Sequence, residues 1–123
     1  MQKLTAESLK AAVQGTQSQA CSCALGPCPG WESFTEERWP KDLMRGLGTL
    51  RDADSYEPTT DEFHAGGTRY ESPTAPIAVS FFPYNRCDVY GCTQCHRALL
   101  RYTEFGGYYV DHRVREVLSA LVV

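Results

Sequence analysis

The chain has 123 residues, 42% of them hydrophobic, which is enough for one domain with a modest apolar core. Its formal net charge of −3 disfavours a dedicated nucleic-acid binder, because that class of protein usually presents a basic face. Charges interrupt residues 1–15 and no apolar run approaches the length of a membrane span, so the sequence predicts a cytoplasmic protein without a signal peptide, in which thiols stay reduced.

The N-terminal segment predicts a short amphipathic helix followed by a cysteine-rich loop. Leu4–Val13 places apolar residues among polar ones, and Thr5 has the side chain of a helix N-cap. Residues 15–30 are rich in Ser, Gln, Gly and Pro and contain three of the six cysteines. Because such a loop buries too little apolar area to order itself, we expect a bound metal ion to hold it.

Two further short helices are predicted within residues 31–50. Ser33 and Glu36 have the spacing of a capping box, which predicts a turn or two of helix that ends before Pro40. Proline suits the first position of a helix, so Pro40 predicts a second helix over Lys41–Arg45.

The remainder of the chain predicts an antiparallel sheet over residues 66–123. Gly67–Tyr70, Ile77–Phe82 and Asp88–Gly91 are short strand candidates between turn residues. The sequence therefore predicts a single α+β domain over residues 1–123, with short N-terminal helices and a small antiparallel sheet.

The best-defined predicted element is a C-terminal β-hairpin. Leu99–Phe105 and Tyr108–Val114 are aromatic and β-branched, and Gly106-Gly107 between them is a two-residue turn signal. In this register Leu99 pairs with Val114, on a face that we expect to be buried, while the opposite face is expected to be wetter.

Arg101 and His112 would face each other on the inner side of this hairpin. A buried arginine is rarely tolerated without an acceptor. We therefore expect either a carboxylate from elsewhere in the chain or a cleft along this row of the sheet.

The cysteine pair Cys92-Thr93-Gln94-Cys95 lies between the strand candidate and the hairpin. Zinc takes four ligands in a tetrahedron, with sulfur about 2.3 Å from the ion. A C-x-x-C turn brings two sulfurs toward one point, so Cys92 and Cys95 predict half of a Zn²⁺ site. Structural zinc contributes roughly 10–16 kcal/mol in small peptides, comparable to the whole stability of a domain of this size.

Residues Asp88–Phe105 resemble a zinc ribbon or rubredoxin-type knuckle, in the order strand, C-x-x-C, basic residue, strand. His96 stands where such knuckles usually place glycine, and the chain has no second C-x-x-C pair. The longer stretch from Phe81 to Arg113 is similar to small bacterial proteins in which a C-x-x-C pair precedes a hairpin. No activity accompanies this resemblance.

The other two zinc ligands are expected from the cysteine-rich loop. Cys21 and Cys23, in C-x-C spacing, are the favoured pair, and Cys28 is an alternative because it follows Cys23 in C-x4-C spacing. Cys87 and His96 are reserves. The ordinary interpretation of Cys87 is a small buried hydrophobic residue, and that of His96 is a polar residue closing the knuckle.

These ligands predict a small zinc-binding protein in which the metal is structural and the domain serves as a non-catalytic interaction module for a protein partner. One alternative is a redox protein or enzyme that uses Cys92 and Cys95 as a dithiol. Another is an iron–sulfur electron carrier, because Cys87-x4-Cys92-x2-Cys95 has three of the four cysteines of the plant-type spacing.

A histidine and an arginine flank a Gly-Gly pair in His64–Tyr70. This segment could bind an anion through Arg69, although a plain hairpin entry is the simpler interpretation. The sequence fixes neither the partner nor the oligomeric state.

Overall fold

A computed structural model describes residues 2–13, 30–52, 61–63, 75–94, 97–106 and 109–123. Within them one five-stranded antiparallel sheet dominates, with the strand order β1-β5-β4-β3-β2. The strands are β1 (Glu32–Phe34), β2 (Met44–Thr49), β3 (Asp88–Cys92), β4 (Ala98–Gly106) and β5 (Tyr109–Glu116). The described residues also contain one α-helix, α1 (Ala6–Val13), and short 3-10 helices at Glu36–Arg38, Tyr84–Arg86 and Ser119–Leu121. None of the described helices has the length and apolar character that crossing a membrane requires.

The predicted α+β class with several helices is wrong, because the described chain is mainly β. Predicted helices within residues 31–50 are replaced by the two edge strands of the sheet, β1 and β2. Ser33 does not cap a helix; its hydroxyl donates a hydrogen bond to Asp111 on β5. Of the predicted helix at Lys41–Arg45 only a single turn forms, with the amide of Met44 bonded to the carbonyl of Lys41 at 3.2 Å.

The predicted N-terminal helix is confirmed, together with its cap. The amide of Ser8 donates to the hydroxyl of Thr5 at 3.2 Å, and the amide of Thr5 donates to the hydroxyl of Ser8 at 2.7 Å. This reciprocal pair satisfies amide groups at the start of α1 that no helical carbonyl reaches. Leu9 and Val13 are the residues that α1 buries.

The predicted strand over Asp88–Gly91 is confirmed as β3, and the predicted hairpin is confirmed as β4 and β5. Its register differs by two residues, since Gly106 pairs with Tyr109 and Leu99 pairs with Glu116. An even shift leaves each side chain on its predicted face. The predicted strand at Ile77–Phe82 is reduced to one isolated bridge between Ile77 and Val122, and Gly67–Tyr70 lies outside the described residues.

Both faces of the sheet are covered, so the prediction of one wetter face is wrong. The face covered by α1 and by the chain around residues 75–87 carries what we call the large core: Leu4, Leu9, Val13, Trp31, Leu50, Ile77, Tyr84, Cys87, Val89, Ala98, Leu100, Tyr102, Val117 and Val122. The opposite face carries the small core: Phe34, Trp39, Cys92, Leu99 and Val114, with Leu43, Met44 and Tyr90 partly buried against it.

Candidate functional site

Cys92 is the last residue of β3, at the point where the chain turns toward β4. Gly91 pairs with Ala98, and the amide of Cys92 donates to the carbonyl of Arg97 at 3.0 Å. The next residue, Thr93, is fixed by two hydrogen bonds to the carbonyl of Leu43, from its amide at 2.8 Å and from its hydroxyl at 2.9 Å. The first half of the predicted C-x-x-C pair therefore lies at a hairpin connection that backbone bonds hold from two sides.

The side chain of Cys92 is 1% exposed and belongs to the small core. Arg97 lies directly across the strand pair, so its side chain shares the face of Cys92. Arg97 is also buried and forms an ion pair with the buried carboxylate of Glu116 at 3.8 Å. The surroundings of the Cys92 thiol thus combine apolar side chains with one buried pair of opposite charges.

A cavity of about 230 Å³ lies beside this connection. It is lined by Ala12, Arg45, Leu47, Gly91, Cys92, Thr93 and Ala98. Ala12 belongs to the last turn of α1, so the end of that helix and the end of β3 border the same space. The cysteine-rich part of the sequence begins immediately after this helix.

Most of the predicted ligands lie outside the described residues. This applies to Cys21, Cys23, Cys28, Cys95 and His96. In the described ranges no three His, Cys, Asp or Glu side chains come close enough together to hold a metal ion. Cys92 and Cys87 are the two candidate ligands that lie within the described residues, and neither forms a disulfide bond.

Cys87 lies in the large core, across the sheet from Cys92. It is fully buried, and its thiol donates a hydrogen bond to the carbonyl of Pro83 at 3.4 Å. Burial raises the pKa of Cys87 well above its ordinary value; the nearby charge of Asp88 raises it further, and Arg115 opposes both. A protonated thiol in this position matches the small buried hydrophobic residue of the sequence analysis, and it does not join Cys92.

Comparison with known proteins identifies no relative of this chain. No protein-family model matches the chain, and searches of curated proteins and of solved structures find no match. The site is therefore interpreted from its own residues.

A polar cluster that the sequence predicted only in part lies on the small-core face of the hairpin. Arg101 is paired with Glu36 at 2.6 Å, which confirms that a carboxylate from elsewhere reaches this arginine. The same Glu36 oxygen lies 3.3 Å from Nε2 of His112, whose Nδ1 is 3.1 Å from the hydroxyl of Thr103. The sequence analysis missed Glu36 as the partner because its spacing from Ser33 indicated a helix cap.

A second buried arginine, Arg115, lies on the large-core face. It donates hydrogen bonds to the hydroxyl of Tyr84 and, at 2.8 Å, to the carbonyl of Ala75. Burial lowers the pKa of Arg115 and raises that of Tyr84. These contacts join β5 to the chain around residues 75–84, which is a structural role.

Asp111, which precedes His112 on β5, has a structural role among the described residues. Asp111 accepts hydrogen bonds from Ser33 and from Arg113, which ties β1 to β5. His64 and Arg69, the predicted anion site, lie outside the described residues.

Proposed function

We propose that the protein is a small zinc-binding domain in which Cys92 and Cys95 hold one side of a structural Zn²⁺ ion, and Cys21 and Cys23 hold the other. The ion joins the N-terminal segment to the β3–β4 connection and takes no part in a reaction. The domain then works as a non-catalytic interaction module in the reducing environment of the cytoplasm.

The observation that carries this proposal is that Ala12, in the last turn of α1, and Cys92, at the end of β3, border one cavity. The Cys92 side chain packs in the small core, on the opposite face from Leu47 and Ala98 of the cavity wall, so ligation requires it to turn toward the cavity. The chain leaves α1 at Val13, one residue after Ala12, and reaches Cys21 after eight residues. Eight residues span at most about 29 Å, far more than the width of the cavity. Thiols at Cys21 and Cys23 are therefore within covalent reach of the β3–β4 connection.

Cys28 is also within reach of this connection. It precedes Trp31 by three residues, and Trp31 directly precedes β1, three strand positions away from β3. Three strand spacings amount to about 14 Å. Three residues span at most about 11 Å, and the cysteine side chain with a Zn–S bond of about 2.3 Å adds the rest. The C-x4-C pair therefore stays an alternative to the C-x-C pair.

A protein partner is the proposed target of the module. Phe63 and Phe81 are exposed, with ring centroids 5.6 Å apart, and they line a small apolar cavity of about 130 Å³. Exposed aromatic side chains are enriched where proteins bind one another. The net charge of −3 continues to disfavour nucleic acid.

Native mass spectrometry with elemental analysis tests the metal. Protein purified under reducing conditions should carry a single zinc ion per folded chain. Folded protein without zinc under those conditions would end the proposal. Visible absorption bands would indicate the iron–sulfur alternative, and a pair labelled by thiol reagents only after reduction would indicate the dithiol alternative.

Single substitutions of cysteine separate zinc ligation from folding. Cys95→Ser should abolish zinc binding, while the matched control Cys87→Ala should retain it, because Cys87 lies in the opposite core. Equal zinc content in both variants would contradict the assignment of Cys95. Retained zinc in Cys21→Ser and in Cys23→Ser would contradict the N-terminal half of the site.

A further inference from the structure

The connection between β1 and β2 crosses one whole face of the sheet. These two strands are the opposite edges of the order β1-β5-β4-β3-β2, four strand spacings apart, or about 19 Å. Residues 35–43 cover that distance, and we call them the strap. Trp39 and Leu43 from the strap pack into the small core, where Cys92 also lies.

Contacts at the start, middle and end of the strap hold it against the sheet. At its start, Glu36 is paired with Arg101 on β4 and lies beside His112 on β5. In its middle, the Trp39 ring lies 4.6 Å from the Arg101 guanidinium. At its end, Leu43 accepts the two hydrogen bonds from Thr93.

Of these contacts the one at Glu36 is the most easily altered. The Glu36 side chain is 58% exposed, so water competes with its ion pairs and salt screens them. The short 3-10 helix that carries it has no side-chain hydrogen bond at its N-cap, Thr35. The packing of Trp39, which is 7% exposed, depends much less on ionic conditions.

We propose that the strap is a gate over Cys92, and that Glu36 is its ionic latch. When the latch is released, the strap lifts and the thiol of Cys92 meets solvent, whereas Cys87 stays buried on the other face of the sheet. The gate would control how fast reagents, oxidants or a chelator reach this thiol. The inference does not rest on the proposed zinc site, because alkylation reports access to Cys92 in metal-free protein, and the rate at which a chelator removes zinc reports it when metal is bound.

Residue-resolved thiol labelling tests the gate. Native protein is pulsed with an alkylating reagent, and tandem mass spectrometry then locates the modification within the tryptic peptide that contains both Cys87 and Cys92. Glu36→Gln should raise the labelling rate of Cys92 about threefold to fivefold, the range expected for the loss of a partly exposed ion pair. Added salt should raise the wild-type rate and leave the rate of the variant nearly unchanged.

The matched control is Glu37→Gln, which removes the same charge from the next residue of the same 3-10 helix. It should label like the wild-type protein. Cys87 is an internal control, because global unfolding exposes both thiols whereas strap opening exposes only Cys92. Equal acceleration at Cys87 and Cys92, no acceleration at Cys92, or equal effects of the two variants would each overturn the gate.

Metal content, measured on the same samples, keeps the two proposals distinct. If zinc is present, the gate predicts that a chelator removes it faster from Glu36→Gln than from Glu37→Gln. If zinc is absent, the zinc proposal fails and the labelling experiment still decides the gate.

Discussion

Cys87 illustrates, at the scale of single residues, how burial links a thiol to stability. Burial is the main reason that its folded-state pKa lies well above the ordinary value of 9.0. Once the pH exceeds 9, the unfolded chain loses this proton while the folded chain keeps it. Stability contributed by the protonated thiol is therefore complete below pH 9 and is lost as the pH rises.

We predict that the free energy of unfolding falls between pH 9 and pH 10, by up to about 1.4 kcal/mol per pH unit from this thiol. Cys87→Ala should be less stable at pH 7, since it leaves a small cavity, but its stability should fall less steeply over this interval. Urea unfolding at a series of pH values measures both slopes. Parallel curves for the wild type and Cys87→Ala would contradict the prediction.

Tyr84 provides a matched control in a different pH range. Its ordinary pKa is 10.0, and burial raises the folded-state value in the same direction. Tyr84→Phe should therefore change the slope only above about pH 10, and should leave the slope between pH 9 and pH 10 as in the wild type.

At the scale of elements, the N-terminal segment is held to the edge strand β2 by close contact at Gly48. Two backbone hydrogen bonds join them, from Leu4 to the carbonyl of Thr49 at 2.8 Å and from Thr49 to the carbonyl of Gln2 at 2.9 Å. A Cβ atom at Gly48 would lie 2.6 Å from Cγ of Leu4 and 2.7 Å from the Gln2 carbonyl oxygen. Ordinary Cβ contacts are never that short, so a Cβ atom at Gly48 would force either the N-terminal segment or β2 to move.

Gly48→Ala should therefore destabilise the fold by about 1–3 kcal/mol, the usual cost of overpacking. Gly91→Ala is the matched control. A Cβ atom there would meet the side-chain end of Leu47 at 3.3 Å, and that side chain can shift at small cost. Chemical denaturation of both variants measures the difference, and an equal loss of stability would contradict the argument.

The sequence predicted those elements whose local signals agree with their environment. Thr5 and Ser8 cap α1, and the aromatic and β-branched run around Gly106 forms the hairpin. The failures lie where pairing across the sheet outweighs local preference. Pro40 and the residues after it resemble a helix start, but Met44–Thr49 contains two glycines and pairs with β3 along its length.

The candidate site was predictable to a similar degree. Side chains alternate between the two faces along each strand of the hairpin, which predicted that Arg101 points to a buried face and needs a carboxylate. A shift of register by two residues does not change that face. The identity of that carboxylate did not follow, because Glu36 is 65 residues away in the chain and reaches β4 only through the strap. Long-range partners of this kind depend on strand order, which local patterns do not specify.

At the scale of the whole molecule, the sheet divides a short chain into two cores. Among the residues that the structure describes, the small core contains five buried side chains, including that of Cys92. A domain of about this size buries roughly two-thirds of its extended surface. Because that buried surface is divided between two cores, each core is modest in size. A metal ion that binds only the folded chain would add its binding free energy to the stability of both cores.

The zinc proposal therefore predicts that thermal stability depends on the concentration of free zinc. An ion that binds only the folded chain stabilises it by about 4 kcal/mol at a thousand times its dissociation constant, which corresponds to a rise of about 10 °C or more in Tm. Calorimetry at graded free zinc should show this rise, and a chelator should reverse it. Cys95→Ser should lose the response, and Cys87→Ala should keep it at a lower baseline. A Tm that rises equally in Cys95→Ser would mean that zinc binds elsewhere, because removing one of four thiolate ligands weakens binding at the proposed site far more than it perturbs the rest of the fold.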